Sequence, residues 1–242
     1  MEPWKLQPAR DTGLTPAERF RSVRRENGLL ESFAHHFSFF LLRSYFAGAH
    51  RLKIRGRENV PPHRPFILAA NHCSHLDALS LVVALQPRHR EHAFPIAAGD
   101  IFFQSPTTSV FAAVVLNALP MWRKNCGPHA LADLRRKLEE EKCIYVIFPE
   151  GSRSRDGQMA RFKHGLGMLV AQTPVPVVPC FLSGTFNALP PDKKIPRPAP
   201  IRLVIGRPLE FASVANDRQG WSQIAQTVES AIRALGSQSA TA

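Results

Sequence analysis

His72 and Asp77 lie five positions apart in the stretch Asn71-His72-Cys73-Ser74-His75-Leu76-Asp77, between the apolar runs Phe66 to Ala70 and Ala78 to Leu85. A neutral imidazole held in one tautomer by a carboxylate takes a proton from a hydroxyl and returns it to a leaving group. The same residues also read as a capping box: Ser74-x-x-Asp77 ahead of an apolar run places both side chains on the free amides of a helix start. The two readings are compatible. Positions five apart on a straight helix point about 140° away from each other. The pair therefore meets only if His72 lies on the incoming loop and Asp77 in the first helical turn. With ten histidines in the chain, the spacing alone carries little weight.

A second polar stretch, Phe148-Pro149-Glu150-Gly151-Ser152-Arg153-Ser154-Arg155-Asp156-Gly157, follows the apolar run Ile144 to Phe148 and leads to Phe162-Lys163-His164-Gly165. The amides around Gly151, the Ser152 hydroxyl and the guanidinium forks of Arg153 and Arg155 suit a phosphate. Arg123, in Leu119-Pro120-Met121-Trp122-Arg123-Lys124, offers a further fork. No G-x-S-x-G nucleophile is present, since Ser183-Gly184 lacks the preceding glycine and Ser152 follows Glu150-Gly151. Direct attack by an activated substrate hydroxyl is the chemistry this favours.

The elements that must position these loops follow from periodicity. Leu52 to Ile54, Phe66 to Ala69, His92 to Ala98, Ile144 to Phe148, Val175 to Leu182 and Ile201 to Ile205 read as strands. Helices are expected over Ala78 to Leu85, around Leu131, Leu134 and Leu138, and along the stripe Trp221, Ile224, Val228, Ile232 and Leu235, closed by Gly236. The run Val110 to Leu119 fits a helix or a strand. Strands alternating with helices predict one α/β domain, with a mixed, largely parallel sheet flanked by helices. Its ligand site is expected where strands end and loops lead into helices.

Residues 1–48 form an N-terminal segment, 49–236 the main domain and 237–242 a disordered tail. From Leu29 to Phe46, Leu30, Phe33, Phe37, Phe40, Leu41 and Tyr45 recur at helical spacing, and Phe39, Leu42 and Phe46 widen the face. This amphipathic helix either packs on its own domain or lies among lipid headgroups.

Lys and Arg total 31 against 19 acidic residues, a formal charge of +12, so an anionic partner is expected. A nucleic acid is disfavoured, because no RNP-like segment or finger spacing occurs. Arg19, Arg21, Arg24 and Arg25 suit an anionic membrane surface. The cysteines Cys73, Cys126, Cys143 and Cys180 form no C-x-x-C, and Met1 to Gly13 reads as no signal peptide. Reduced thiols on the cytoplasmic side are the expectation. No run reaches the roughly 18 apolar residues that a spanning helix needs, which predicts a peripheral, monotopic protein. Two other readings stay open: a metal-dependent hydrolase built on His72, His75, Asp77, His89 and His92, and a non-enzymatic lipid-binding module.

Taken in order, these blocks resemble the glycerolipid acyltransferases typified by 1-acylglycerol-3-phosphate acyltransferase. Asn71-His72-x-Ser74-x-x-Asp77 is similar to the family's H-x4-D block and Phe148-Pro149-Glu150-Gly151-Ser152-Arg153-Ser154 to its F-P-E-G-T-R-S block. Arg123 falls where the second block has an arginine, and Val175-Pro176-Val177-Val178-Pro179 looks like the fourth. The resemblance implies that His72 is the general base and Asp77 its orienting partner. It further implies that Arg123, Glu150, Gly151, Ser152 and Arg153 bind the phosphate-bearing head of a lysophospholipid acceptor, and that Pro179 lies near the acyl chain. Acyl-CoA or acyl-carrier protein would be the donor, with no metal or bound cofactor. Ser152 replaces a threonine, and Ala98 stands where many members carry a lysine, which leaves the acceptor's identity open.

Overall fold

The computed structural model describes Gly13, Thr15 and residues 29–98, 119–121 and 128–240. Arg123, Cys126, the arginines at 19, 21, 24 and 25, and the apolar run 110–118 lie outside the described residues.

Seven strands form one sheet: β1 (Lys53–Arg55), β2 (Phe66–Ala70), β3 (Ala93–Ala98), β4 (Leu119–Met121), β5 (Ile144–Ile147), β6 (Val177–Ser183) and β7 (Arg202–Ile205). Their spatial order is β1-β7-β6-β2-β5-β3-β4. Every pairing is parallel except β6 with β7. The architecture is thus a single α/β domain with a mixed, mostly parallel sheet. Such a sheet is covered on both faces, which is why β2 reads Phe-Ile-Leu-Ala-Ala without alternation and all five residues are buried.

Two core layers result. Phe66, Leu68, Ile144, Val146, Val178 and Leu182 face α1 (Leu29–Gly48) and α2 (Leu76–Ala84). Ile67, Ala69, Tyr145 and Val177 face α4 (Pro128–Glu140), α5 (Gly165–Val170) and α7 (Arg218–Ala240). Two short helices, α3 (Pro87–Arg90) and α6 (Thr185–Ala188), complete the described elements.

The helix α1 presents apolar residues on both sides. Phe39 and Phe46 enter the core, with Arg90 lying 3.5 Å over the Phe39 ring. Phe37, Phe40, Leu41 and Tyr45 on the remaining faces are exposed.

Two expectations need correction. Gly236 does not close the last helix, and 237–240 are helical, so the disordered tail does not begin at 237. A Cβ at Gly236 would lie 2.9 Å from the Phe181 ring, so this glycine lets α7 settle against β6. The strand expected from Val175 begins at Val177, after Pro176.

Candidate active site

At the C-terminal end of β2 the chain leaves the ladder through Asn71, whose side chain imitates a peptide unit. Its Nδ2 donates to the Leu182 carbonyl at 3.0 Å and its Oδ1 accepts from the Leu182 amide at 2.8 Å. These bonds carry the β2 to β6 pairing one residue past the strand. His72 then lies on the loop rather than on α2, as the pair geometry required. Its Nδ1 is 2.9 Å from Asp77 Oδ2.

Base geometry and capping box coexist. Asp77 is fully buried, and its Oδ2 also accepts from the amides of Cys73 and Ser74, each at 2.7 Å. Ser74 Oγ accepts from the Leu76 amide at 3.1 Å and donates to the Leu189 carbonyl at 2.7 Å. Three donors thus converge on one oxygen. A carboxylate can only accept, so His72 carries its proton on Nδ1 and leaves the Nε2 lone pair free. The other oxygen, Oδ1, is buried and finds no hydrogen-bond partner among the described residues. The imidazole lies flat on Phe148, with ring centroids 4.0 Å apart and 15° between planes. About a fifth of the His72 side chain remains exposed, enough for a substrate to reach it.

The loop after β5 abuts this one because β2 and β5 pair in register, Ala69 opposite Ile147. The Ser154 amide donates to the His72 carbonyl at 2.8 Å. Glu150 turns inward: Oε1 accepts from the His72 amide at 2.7 Å and Oε2 from the Ala160 amide at 2.9 Å. Burial pushes its carboxyl above the usual range, partly offset by those two amides. Gly151 and Ser152 are exposed at the tip. Gly151 has φ +74°, and a Cβ there would lie 2.8 Å from the Lys163 ammonium. That position favours glycine for its left-handed backbone, and the Lys163 side chain lies across it.

Arg153 is half-buried, with Nη1 2.6 Å from Nδ1 of His75 and also touching Nε2 of the same ring. Burial, then the charges of Arg153 and His72, push the His75 imidazole below the ordinary histidine value; a bond to the Pro191 carbonyl opposes them. A neutral ring is what a guanidinium neighbour demands.

The remaining expected residues are placed as follows. Pro179 is buried within β6 opposite Ala69, and its carbonyl accepts from the Gly206 amide at 2.8 Å. It therefore lies inside the sheet rather than on the loops beside His72. Ala98 ends β3, and Arg123 is outside the described residues. His89 stacks edge-on against Phe66 at 5.4 Å and faces the Pro62 carbonyl at 3.3 Å. That is the N-terminal end of β2, about 15 Å of strand away from His72. His92 offers its carbonyl to the Ile144 amide at the same end of β5. One ion cannot bind both ends, so the five-ligand hydrolase reading does not fit this placement. Sequence reasoning passed over Phe148 and Lys163 as site residues, and took His75 only as a metal ligand in the hydrolase reading. Only Phe148 left a signal, as the apolar residue closing the strand beside β2.

A cavity of about 390 Å³ flanks the histidine loop on the α7 side. Asn71 and Cys73 form its inner end, and Phe181, Phe186, Met159 and Arg233 its walls. Cys73 is inert there: its Sγ lies 3.3 Å from Thr185 Oγ1, and burial, then the Asp77 charge, push the thiol up to about 12.

Comparison with known proteins now has a geometry to attach to. The family model described as Acyltransferase matches residues 51–183, more than half of the chain and the whole of both loops. The chain belongs to the acyltransferase family. Among similar proteins is 1-acyl-sn-glycerol-3-phosphate acyltransferase alpha of Homo sapiens, 29% identical over 135 residues, which are 55% of this chain and 46% of that protein. Another is the chloroplastic 1-acyl-sn-glycerol-3-phosphate acyltransferase BAT2 of Brassica napus, 32% identical over 165 residues, 66% of this chain and 45% of that one. The chain thus spans about half the length of the curated relatives it matches. The crystal structure of the 1-acyl-sn-glycerophosphate (LPA) acyltransferase PlsC from Thermotoga maritima shares the fold. Its TM-score is 0.67 at 23% identity, over 93% of this chain and 86% of that one.

Proposed function

We propose that this acyltransferase moves a fatty acyl group from an acyl thioester, acyl-CoA or acyl-carrier protein, to the hydroxyl of a lysophospholipid, most simply 1-acylglycerol 3-phosphate. The observation that carries the reading is the His72 Nδ1 to Asp77 Oδ2 contact at 2.9 Å, beside a loop that presents Arg153 and Lys163. His72 Nε2 takes the proton from the acceptor hydroxyl as its oxygen attacks the thioester carbonyl carbon. The tetrahedral intermediate collapses, the carbon–sulfur bond breaks, and the departing thiolate receives the proton from the imidazolium. Asp77 keeps the tautomer and stabilises the positive ring. Arg153 and the Ser152 hydroxyl face the acceptor's phosphate, with Arg123 a further candidate; the Gly151 amide is already taken by the Phe148 carbonyl at 3.0 Å.

The relatives' names favour lysophosphatidic acid as acceptor. The exposed Phe37, Phe40, Leu41 and Tyr45 on α1, which packs against the helix carrying Asp77, support a peripheral position on a membrane surface, which we place at the anionic cytoplasmic face on the chain's formal charge of +12. Among the described residues no helix is long and apolar enough to cross a membrane. The same apolar face also favours a second reading, a lipid-docking module without turnover.

One experiment separates them: thiol release from acyl-CoA with lysophosphatidic acid carried in anionic vesicles, for wild type and His72→Ala, with vesicle sedimentation alongside. Transfer is expected to fall about 10²- to 10⁴-fold in the variant, with sedimentation unchanged. Folded His72→Ala protein with undiminished transfer overturns the proposal, and sedimentation without any turnover in wild type selects the docking module.

A further inference from the structure

Glu150 stands in the block that the resemblance gives to substrate binding, yet its chemistry points elsewhere. The residue is 3% exposed, and each carboxylate oxygen already accepts a main-chain amide. A second anion arriving at this carboxylate would be repelled. Its partners belong to the two functional loops: the amide of His72 itself and that of Ala160, at the far end of the β5 loop. With Ser154 donating to the His72 carbonyl, both peptide groups of the base are held by that one loop. The imidazole is thereby fixed at three places: its ring nitrogen by Asp77, its ring face by Phe148 and its backbone by residues 150–154.

We propose that Glu150 is a positioning residue for His72 and makes no contact with the acceptor. The inference rests on the transferase reading above. Two carboxylates then bracket the base, Asp77 on the side chain and Glu150 on the main chain, and both negative charges favour the imidazolium formed during transfer. Besides these two groups, the charged partner facing Glu150 is His72. Because the Glu150 carboxyl titrates above the usual range, its hold on the His72 amide weakens earlier on acidification than an ordinary carboxylate's would.

The test is Glu150→Gln. A carboxamide keeps one acceptor oxygen but must turn its NH₂ toward the other amide, so one of the two bonds is lost. The expected result is a fall in kcat of about 10²-fold, the cost of small misplacement of a catalytic group. The acceptor KM should stay within about twofold, and the acid limb of the kcat profile should move to lower pH. A raised acceptor KM with kcat retained overturns the proposal, because that is the behaviour of a substrate ligand. Should the variant fail to fold, the His72 amide proton of the wild-type protein is followed by NMR through an acid titration. Displacement tracking a carboxyl that ionises above the ordinary glutamate range upholds the assignment, and an amide indifferent to that titration overturns it. Wild-type protein inactive on every phosphate-bearing acceptor would sink the transferase reading instead, and the amide titration would still decide whether Glu150 grips His72.

Discussion

The loop leaving β2 and the loop leaving β5 meet at His72, yet they are held in opposite ways. In the first, Asn71, Ser74 and Asp77 are all buried, and their side chains bond to main chain at 2.7 to 3.1 Å. In the second, Glu150 is the buried charged residue; Gly151, Ser152, Arg155 and Lys163 are exposed, and Arg153 is half so. The rigid loop carries the group that must move a proton over a fraction of an ångström. The looser loop carries long cations that can close on an ion arriving from solvent. Directed bonds need fixed geometry, whereas a charge tolerates small displacements, so one site can combine both.

The sharpest way to break this contrast is Asp77→Asn. A carboxamide in that buried position cannot serve the ring and two amides as a charged oxygen does, and it invites the wrong histidine tautomer. A loss of about 10²- to 10⁴-fold in kcat is expected, with about 1.5 to 3 kcal/mol of stability lost with the charged hydrogen bonds. Transfer rates and thermal unfolding measured on the same preparation check both parts. Unchanged kcat would mean that the rigid loop is only a helix cap.

Arg153→Ala probes the other side. Charge-assisted bonds to phosphate are worth about 1.5 to 3 kcal/mol, so the acceptor KM should rise about 10- to 100-fold. kcat should stay near wild type. Steady-state kinetics with lysophosphatidic acid and with an uncharged monoacylglycerol give the comparison, since only the phosphorylated acceptor should respond. A fall in kcat of the same size would show that the second loop positions as tightly as the first.

Much of this was legible because it is local. The five-residue separation of His72 and Asp77, the serine between them and the flanking apolar runs fixed both the pair geometry and the capping box. The buried strands announced themselves by unbroken apolar runs. What stayed hidden depends on register between distant segments. Glu150 reads, by the resemblance, as a ligand of the acceptor's head until β2 and β5 are paired, which brings its carboxylate under the His72 amide. The Phe148 ring meets the imidazole for the same reason. Gly236 looked like a helix stop, because a glycine after an apolar stripe signals either an end or a close approach, and only the Phe181 ring tells which. The helix α1 posed a similar ambiguity, since so many apolar residues in one segment do not say which of them turn inward.

His75 links the two loops, and its titration offers the finest test of how independent they are. Its ring faces the Arg153 guanidinium, the Pro191 carbonyl, and the charges of His72 and Asp77. The folded protein disfavours the charged ring, so His75 binds its proton more weakly folded than unfolded. Its contribution to stability is therefore fully present above the ordinary histidine value of about 6.5 and lost as pH falls below it through the lowered folded value. On the functional side, a protonated His75 repels Arg153 and displaces the fork from the phosphate. The acceptor KM should accordingly rise a few-fold, about 2 to 5, on acidification, while His75→Gln should flatten that rise. The kcat profile should keep its shape in the variant. Measuring KM and kcat separately across pH separates the loops by their titration. If both profiles change together on replacing His75, the two loops act as one unit, and the division between a fixed base and an adjustable phosphate clamp fails.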